Sequence, residues 1–284
     1  MRTVRTVAEL RDRLRAERKA GRTIGLVPTM GAFHDGHVSL MEQARAQTDV
    51  VVVSLFVNPT QFGPSEDLTA YPRDEARDAA IAQEAGVDVL FAPSVEEVYP
   101  DGFQTTVTVG ALAEPLEGAQ RPGHFDGVAT VVTKLLNMVG PDVAFFGQKD
   151  AQQALIVRRV VRDLDIPVRI EVCPTVREPD GLAMSSRNAY LAPPERERAI
   201  ALRRALDAAE QAVAAGERDA AAVASAAQAA MAPYEVEPEY LALVSSDTLQ
   251  PVDRIDGEIL VALAARVGRA RLIDNTLIKT NGRA

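Results

Sequence analysis

Short apolar runs alternate with amphipathic segments along roughly the first 175 residues of the chain. The run from Asp49 to Val57 is almost continuously apolar, which is typical of a strand covered on both faces of a parallel sheet. The segment from Phe125 to Val139 places its apolar residues on one helical stripe. Repeated strand–helix–strand units predict an α/β fold, a doubly wound parallel sheet of the Rossmann-like kind with helices on both faces.

The same pattern gives approximate bounds for each element of this part. The predicted strands span 23–29, 49–57, 87–92, 105–109, 142–146 and 167–174. The predicted helices span 6–20, 31–45 after an initial turn, 74–85, 125–139 and 150–164. Thr6 and Glu9 have the spacing of a capping box, which supports the start of the first helix.

The pattern changes after a turn-rich cluster at 178–181. Two alanine-rich helices are predicted next, one over 195–215 and one ending near 231, and three β segments follow at 239–244, 258–265 and 271–273. We therefore predict two domains, a Rossmann-like domain over 1–176 and a smaller C-terminal α+β domain over 177–284.

Composition narrows the class of protein. A hydrophobic share of 47% and a charged share of 25% are ordinary for a globular chain and exclude disorder. The net charge of −9 disfavours a nucleic-acid partner, which would require a basic face. Cys173 is the only cysteine, and no apolar run approaches the ~20 residues of a membrane span. We expect a cytoplasmic protein with neither a nucleic-acid nor a membrane partner.

The segment Pro28–His37 stands where a predicted strand ends and a helix begins, the edge at which open α/β sheets bind ligands. The start of a helix favours phosphate, and Gly31 and Gly36 allow close approach of the backbone. His34 and His37 are three positions apart, so they lie on one side of a helical turn and can donate hydrogen bonds to phosphate. A plain glycine-rich turn and a metal site are the alternatives.

Two further polar clusters have the chemistry of phosphate binding. Lys149, in the segment Gly147-Gln148-Lys149-Asp150, can reach a polyphosphate as a point charge. Asp150 and Gln153 also have the spacing of a helix cap and its third residue, so a structural role for Asp150 stays open. The segment Met184-Ser185-Ser186-Arg187 offers two hydroxyls and a guanidinium, and its alternative is a solvated turn.

The histidine segment resembles the HIGH-type motif of the nucleotidyltransferase superfamily, and the serine–arginine segment looks like the loop that closes over ATP in the same superfamily. Further blocks extend the match: Phe56–Phe62, Tyr71–Arg73, Arg121–Val128 and Phe145–Asp150. Taken together, the blocks resemble the pantoate–β-alanine ligase (pantothenate synthetase) family. Alternatives are another small-molecule nucleotidyltransferase, such as a cytidylyltransferase or a shortened tRNA synthetase, and a non-catalytic nucleotide-binding sensor.

The resemblance implies an enzyme that joins pantoate to β-alanine with ATP, through a pantoyl adenylate, and releases AMP and pyrophosphate. It implies His37 as the first catalytic choice, with His34 and Lys149. The implied ATP-binding residues are Met30, Gly31, Ala32, Phe33, His34, Asp35, Gly36, His37, Gly147, Gln148, Lys149, Asp150, Val176, Met184, Ser185, Ser186 and Arg187. The implied substrate-binding residues are Asn58, Gln61, Gln153, Tyr71, Arg121 and His124.

The resemblance also implies magnesium, which would shield the triphosphate, and a homodimer. Asp78 is the candidate metal ligand. The acidic pattern around it is thin, because Arg77 stands beside it.

Overall fold

The computed structural model describes residues 1–63, 68–69 and 71–280. The chain divides into two compact units. The first contains Met1–Gln148 and Gln152–Pro174, and the second contains Lys149–Ala151 and the chain from Thr175 onward. The boundary between the units thus lies two residues before the predicted one. Lys149–Ala151 belongs with the second unit, because Asn275 of that unit donates a hydrogen bond from Nδ2 to the carbonyl oxygen of Lys149 at 2.8 Å.

The first unit is built on a six-stranded parallel sheet, which confirms the predicted Rossmann-like class. Its strands are β1 (Arg2–Val4), β2 (Ile24–Thr29), β3 (Val50–Leu55), β4 (Val89–Phe91), β5 (Val143–Gly147) and β6 (Arg169–Cys173). Their order across the sheet is β1-β4-β3-β2-β5-β6. The order reverses direction between β2 and β5, and ligands of open α/β sheets bind outside the strand ends at such a point.

Helices cover this sheet. They are α1 (Val7–Lys19), α2 (Asp35–Gln47), α3 (Glu75–Glu84), α4 (Val95–Val98), α5 (Glu117–Gln120), α6 (His124–Val139) and α7 (Ala151–Asp163). The predicted capping box is present at α1, with Thr6 as the N-cap and Glu9 at the third helical position. The core includes Val27, Val51 and Phe145, none of which is exposed. The short apolar runs of the sequence therefore correctly predicted which segments form the buried strands.

In the first unit one prediction is wrong and one strand was not predicted. The segment 105–109 forms no strand; instead the backbone N–H of Val107 donates to Oγ1 of Thr130 on α6 at 2.9 Å. The edge strand β1 was not predicted, because three residues are too short for a period to be recognised. Cys173 ends β6 with 3% of its surface exposed, and burial raises the pKa of its thiol to about 11.

The second unit pairs three antiparallel strands with helices. The strands are β7 (Pro238–Ser245), β8 (Glu258–Val267) and β9 (Ala270–Lys279), and the helices are α8 (Pro193–Ala199), α9 (Ala201–Ala214) and α10 (Ala220–Met231). The helix predicted over 195–215 is split at Ile200, which keeps φ −60° and ψ −20°. The last strand is longer than predicted because it pairs with β8 from Ala270 to Lys279. The described helices include no candidate membrane-spanning segment.

Candidate active site

The two histidines of the predicted phosphate motif form the start of α2. His34 is the N-cap, and its Nδ1 accepts a hydrogen bond from the N–H of Gly36 at 3.1 Å. Nδ1 of His37 accepts from the N–H of His34 at 3.4 Å, and the two ring centroids are 4.2 Å apart. Because Nδ1 is the acceptor in both rings, each neutral ring carries its proton on Nε2. Each ring can therefore donate from Nε2 to a phosphate oxygen.

The loop before His34 is held by a buried carboxylate. Gly31 has φ +91° and Ala32 has φ +53°, both in the left-handed region. This backbone directs the N–H groups of Ala32 and Phe33 onto the two carboxylate oxygens of Asp78, each at 2.8 Å. These two backbone donors therefore serve Asp78. A Cβ atom at Gly31 would lie 2.9 Å from the same carboxylate, so glycine is required there by contact as well as by φ.

This geometry does not fit Asp78 as a magnesium ligand. Its carboxylate is 1% exposed, and both oxygens already accept backbone hydrogen bonds. The neighbouring Arg77 carries positive charge and Ala79 has no ligand atom. Among the described residues, no group of three or more His, Cys, Asp or Glu side chains could hold a metal ion. The structure instead gives Asp78 the role of anchoring the histidine loop to α3.

Two predicted substrate residues lie together after β3. Asn58 precedes a 3₁₀ turn, Pro59–Gln61, and is 1% exposed. Its Nδ2 donates to Oε1 of Gln61 at 3.0 Å and to the carbonyl oxygen of Gly127 at 3.2 Å. The turn packs directly on α6, since a Cβ atom at Gly127 would lie 2.4 Å from the carbonyl oxygen of Thr60. The two amides are thus fixed against a helix.

Arg121 and His124 support the same turn. Nδ1 of His124 lies 2.9 Å from the carbonyl oxygen of Gln61, and Nη2 of Arg121 lies 3.3 Å from that oxygen. Nη1 of Arg121 is 3.0 Å from Nε2 of His124. A carbonyl oxygen can only accept, so His124 carries its proton on Nδ1 when neutral. Tyr71 lies beside the turn, with its ring 5.7 Å from that of Phe62 in an edge-on arrangement.

The segment after β5 carries the predicted lysine. Gly147 ends β5, next to the end of β2, and Gln148 follows it in the first unit. Lys149 belongs to the second unit, and its Nζ lies 3.5 Å from Oδ1 of Asp150. Gln153 is half-buried in the first turn of α7.

The serine–arginine segment has a defined local structure in the second unit. Ser185 is the N-cap of a 3₁₀ helix, Ser186–Tyr190, and its hydroxyl accepts from the N–H of Arg187 at 3.3 Å. Met184 donates its N–H to the carbonyl oxygen of Val176 at 3.0 Å, so two of the predicted ATP-binding residues are in direct contact.

Buried charged residues stabilise the chain on the N-terminal side of the serine–arginine segment. Arg177 makes a two-pronged ion pair with Asp274 on β9, at 2.6 and 3.0 Å, and the Asp274 side chain is 2% exposed. Glu178 accepts from Nδ2 of Asn188 at 2.6 Å. Sequence reasoning missed these groups, because no local spacing indicates their partners. It also missed Tyr99, whose hydroxyl donates to Oδ1 of Asn58 at 2.9 Å across 41 positions of sequence.

The fold and these polar clusters define a Rossmann-like enzyme, and comparison with known proteins gives its family. A family model described as pantoate-beta-alanine ligase matches residues 2–277. The pantothenate synthetase of Moorella thermoacetica is 53% identical over 282 residues, which cover 99% of this chain and 100% of that protein. The chain therefore belongs to the pantoate–β-alanine ligase family.

Solved structures agree. The pantothenate synthetase of Thermus thermophilus has a TM-score of 0.92 at 52% identity and covers 97% of this chain and 99% of its own. The pantoate-beta-alanine ligase of Francisella tularensis, complexed with beta-gamma ATP and beta-alanine, has a TM-score of 0.80 at 35% identity, covering 98% and 97% of the two chains. The family and the enzyme class predicted from the motifs are confirmed: the chain is a ligase that joins pantoate to β-alanine.

Proposed function

We propose that the chain activates pantoate with ATP as a pantoyl adenylate and then transfers the pantoyl group to β-alanine. A carboxylate is a poor acyl donor, because its leaving group would be oxide. In the first step a carboxylate oxygen of pantoate attacks the α-phosphorus of ATP, and pyrophosphate leaves. In the second step the amine of β-alanine attacks the acyl carbon, loses a proton, and expels AMP. The relative complexed with beta-gamma ATP and beta-alanine supports the choice of substrates.

The observation that carries this proposal is the paired histidines at the start of α2. Charge grows on the phosphate oxygens as the α-phosphorus is attacked, and donors already oriented toward that charge lower the barrier. His34 and His37 have Nδ1 occupied as an acceptor, which leaves the proton of each neutral ring on Nε2. We assign His37 as the leading catalytic residue, with His34 and Lys149 assisting on the phosphates.

The remaining predicted residues divide between the two ligands. Asn58, Gln61 and Gln153 are assigned to pantoate, because amides can bind its hydroxyls and carboxylate. The proposed ATP contacts are those implied by the family motifs: Met30–His37, Gly147–Asp150, Val176 and Met184–Arg187. Arg121 and His124 both contact the main-chain carbonyl oxygen of Gln61, which supports an indirect role for them. In that role they hold Gln61 in position to bind pantoate.

Magnesium enters this proposal only as the counter-ion that accompanies ATP, since Asp78 is engaged by backbone amides. We also propose that the chain works as a homodimer. Light scattering should then give twice the chain mass of 30.5 kDa, and a monomer mass at assay concentrations would contradict this.

Isotope transfer tests the adenylate directly. Pantoate labelled with ¹⁸O in its carboxylate keeps one labelled oxygen in the amide product and delivers the other to AMP. We expect mass spectrometry to find the label in AMP and none in pyrophosphate. ADP production, with the label in inorganic phosphate, would indicate an acyl phosphate and contradict the proposal.

The phosphate assignment has its own matched test. Lys149→Ala should raise the KM for ATP or lower kcat, while Lys19→Ala, a change at an exposed lysine at the end of α1, should alter neither. Equal behaviour of the two variants would remove Lys149 from the site.

A further inference from the structure

The side-chain amide of Asn58 has a fixed orientation. Its Oδ1 accepts from the backbone N–H of Thr60 at 3.4 Å, and its Nδ2 donates to the carbonyl oxygen of Gly127 at 3.2 Å. A backbone N–H can only donate and a carbonyl can only accept, so a flipped amide would face both with the wrong atom. Burial at 1% exposure makes that mismatch costly, because water cannot replace the lost hydrogen bonds.

This orientation determines the orientation of Gln61. The second proton on Nδ2 of Asn58 points to Oε1 of Gln61 at 3.0 Å. The carbonyl end of the Gln61 amide is therefore turned toward Asn58, and its Nε2, with two protons, is the end turned away. Gln61 is itself only 7% exposed, and its main-chain oxygen is held by His124, so it has little freedom to reorganise.

Tyr99 stands at the other end of this chain of hydrogen bonds. Its hydroxyl donates to Oδ1 of Asn58 at 2.9 Å and lies 3.3 Å from the hydroxyl of Thr60. Burial raises the pKa of Tyr99, so the hydroxyl keeps its proton and remains a donor. Its ring packs edge-on against Phe103, with centroids 5.1 Å apart, which fixes the position of the hydroxyl.

We propose that Tyr99 is a positioning residue that, through Asn58, makes Gln61 present an amide N–H to an oxygen atom of pantoate. The inference rests on the proposed placement of pantoate at Gln61. It adds a direction to that contact: the site at Gln61 donates, and the substrate group there accepts.

The direction of the contact has a consequence for substrate selection. An N–H donor favours a carboxylate or hydroxyl oxygen and disfavours an ammonium group, which has only protons to offer. Gln61 would therefore bind pantoate through one of its oxygen atoms.

Two substitutions at Gln61 test the direction. Gln61→Ala removes the donor and should raise the KM for pantoate about tenfold or more. Gln61→Glu keeps an acceptor for Asn58 but turns a second oxygen toward the substrate, so it should raise that KM about 100-fold or more, because the new carboxylate repels the negatively charged pantoate and offers no donor. The KM for ATP should stay within about twofold in both. The Gln61→Glu defect should shrink as pH falls, because a protonated carboxyl regains one O–H donor.

Each outcome is decisive. If Gln61→Glu binds pantoate as well as Gln61→Ala or better, Gln61 accepts from the substrate and the proposed direction is overturned. If neither variant changes the KM for pantoate while pantothenate is still formed, Gln61 lies outside the pantoate site, and the inference fails although the ligase activity stands. Thermal melting of both variants confirms that they are folded.

Tyr99→Phe tests the positioning role without touching the substrate contact. It should raise the KM for pantoate about threefold to tenfold, the contribution of one partly buried hydrogen bond, with kcat and the KM for ATP nearly unchanged. Tyr234→Phe, a matched change in the second unit, should alter none of these constants. An unchanged KM for pantoate in Tyr99→Phe, or an equal rise in both substrate constants, would overturn the role of Tyr99.

Discussion

His34 uses the two nitrogens of one ring for different purposes. Nδ1 caps α2 by accepting from the N–H of Gly36, and Nε2 is the atom assigned to phosphate. The cap and the proposed binding role are therefore coupled, because the hydrogen bond that begins the helix also leaves the proton of the neutral ring on Nε2, the atom proposed to contact phosphate. The dual use also makes the two functions separable, because asparagine and glutamine each replace only one of the two nitrogens.

We predict opposite effects for His34→Asn and His34→Gln. Asparagine is a good N-cap but reaches no farther than Nδ1, so His34→Asn should keep stability within about 0.5 kcal/mol and lose about 100-fold in kcat. Glutamine reaches the position of Nε2 but caps poorly, so His34→Gln should lose about 1 kcal/mol of stability and retain more activity. Urea unfolding and steady-state kinetics measure the two effects. Equal losses of activity in both variants would refute the division of labour.

We predict that Asp78→Asn lowers kcat without changing the magnesium requirement. The amide would turn an NH₂ group toward one of the two backbone N–H groups that now share the carboxylate, so the histidine loop would lose its anchor. Activity measured over a magnesium titration should give a lower plateau with the same midpoint. Asp12→Asn, a change at a carboxylate that is 66% exposed, is the control. Recovery of Asp78→Asn at high magnesium would restore Asp78 as a metal ligand.

Residues close together in sequence were predicted correctly, whereas contacts between distant residues were not. The spacing of His34 and His37 was sufficient to place them together at one helix start, because helix geometry is local. The role of Asp78 could not be inferred in this way, since it depends on backbone groups 45 and 46 positions away. The same holds for Tyr99 and Asn58, which are 41 positions apart. Local spacing thus indicated which residues to propose for the site, but it could not indicate the residues that hold them in place.

Close contact between α6 and the 3₁₀ turn at Pro59–Gln61 links a core helix to the proposed pantoate site. Glycine at 127 makes this possible, because any Cβ there would lie within 2.4 Å of the carbonyl oxygen of Thr60. The backbone of the turn and the backbone of the helix therefore touch without an intervening side chain. The position of Gln61 is then set by an element, not by a flexible loop.

We predict that Gly127→Ala pushes the 3₁₀ turn Pro59–Gln61 away from α6. The added methyl group cannot fit against rigid backbone, so the turn must shift and the hydrogen bond from Asn58 to the carbonyl oxygen of Gly127 must lengthen. Stability should fall by about 1–3 kcal/mol, and the KM for pantoate should rise more than the KM for ATP. Calorimetry and kinetics test this. A variant with unchanged stability and kinetics would show that the turn can move freely.

Element bounds followed from the sequence where the signal was local. The capping box at Thr6 fixed the start of α1, and apolar periodicity located α6 to within a residue. The predicted bounds were wrong where pairing with a distant segment determines the structure. β9 extends over ten residues because it pairs with β8 along its length. The segment 105–109 forms no strand, and its Val107 donates a hydrogen bond to α6 instead. Periodicity cannot report either partner.

At the scale of the whole molecule, the sequence predicted a parallel sheet but not the order of its strands. The point between β2 and β5 where the order reverses exists only once all six strands are paired. The assignment of Lys149–Ala151 to the second unit likewise depends on Asn275, which lies 126 positions after Lys149. The fold class therefore follows from the hydrophobic pattern of the sequence, whereas the strand order depends on contacts between distant segments.

We predict that the thiol of Cys173 is inert in the folded protein. Burial at the end of β6 raises its pKa to about 11, so almost no thiolate exists near neutral pH. Its contribution to stability is present below the unfolded pKa near 9.0 and is lost as pH rises toward about 11, because only the unfolded chain then gives up the proton. Unfolding measured across that range should show the decline, and Cys173→Ala should lack this part of it. Rapid labelling by a thiol reagent under native conditions would contradict the prediction.

Because the chain has one thiol and it lies in the parallel-sheet unit, the rate of its modification by a thiol reagent reports the unfolding of that unit alone. Circular dichroism records loss of helix throughout the molecule, so its time course contains both units. Where modification lags behind or runs ahead of the optical signal, the difference gives the order in which the two halves come apart, with no probe added to the natural chain.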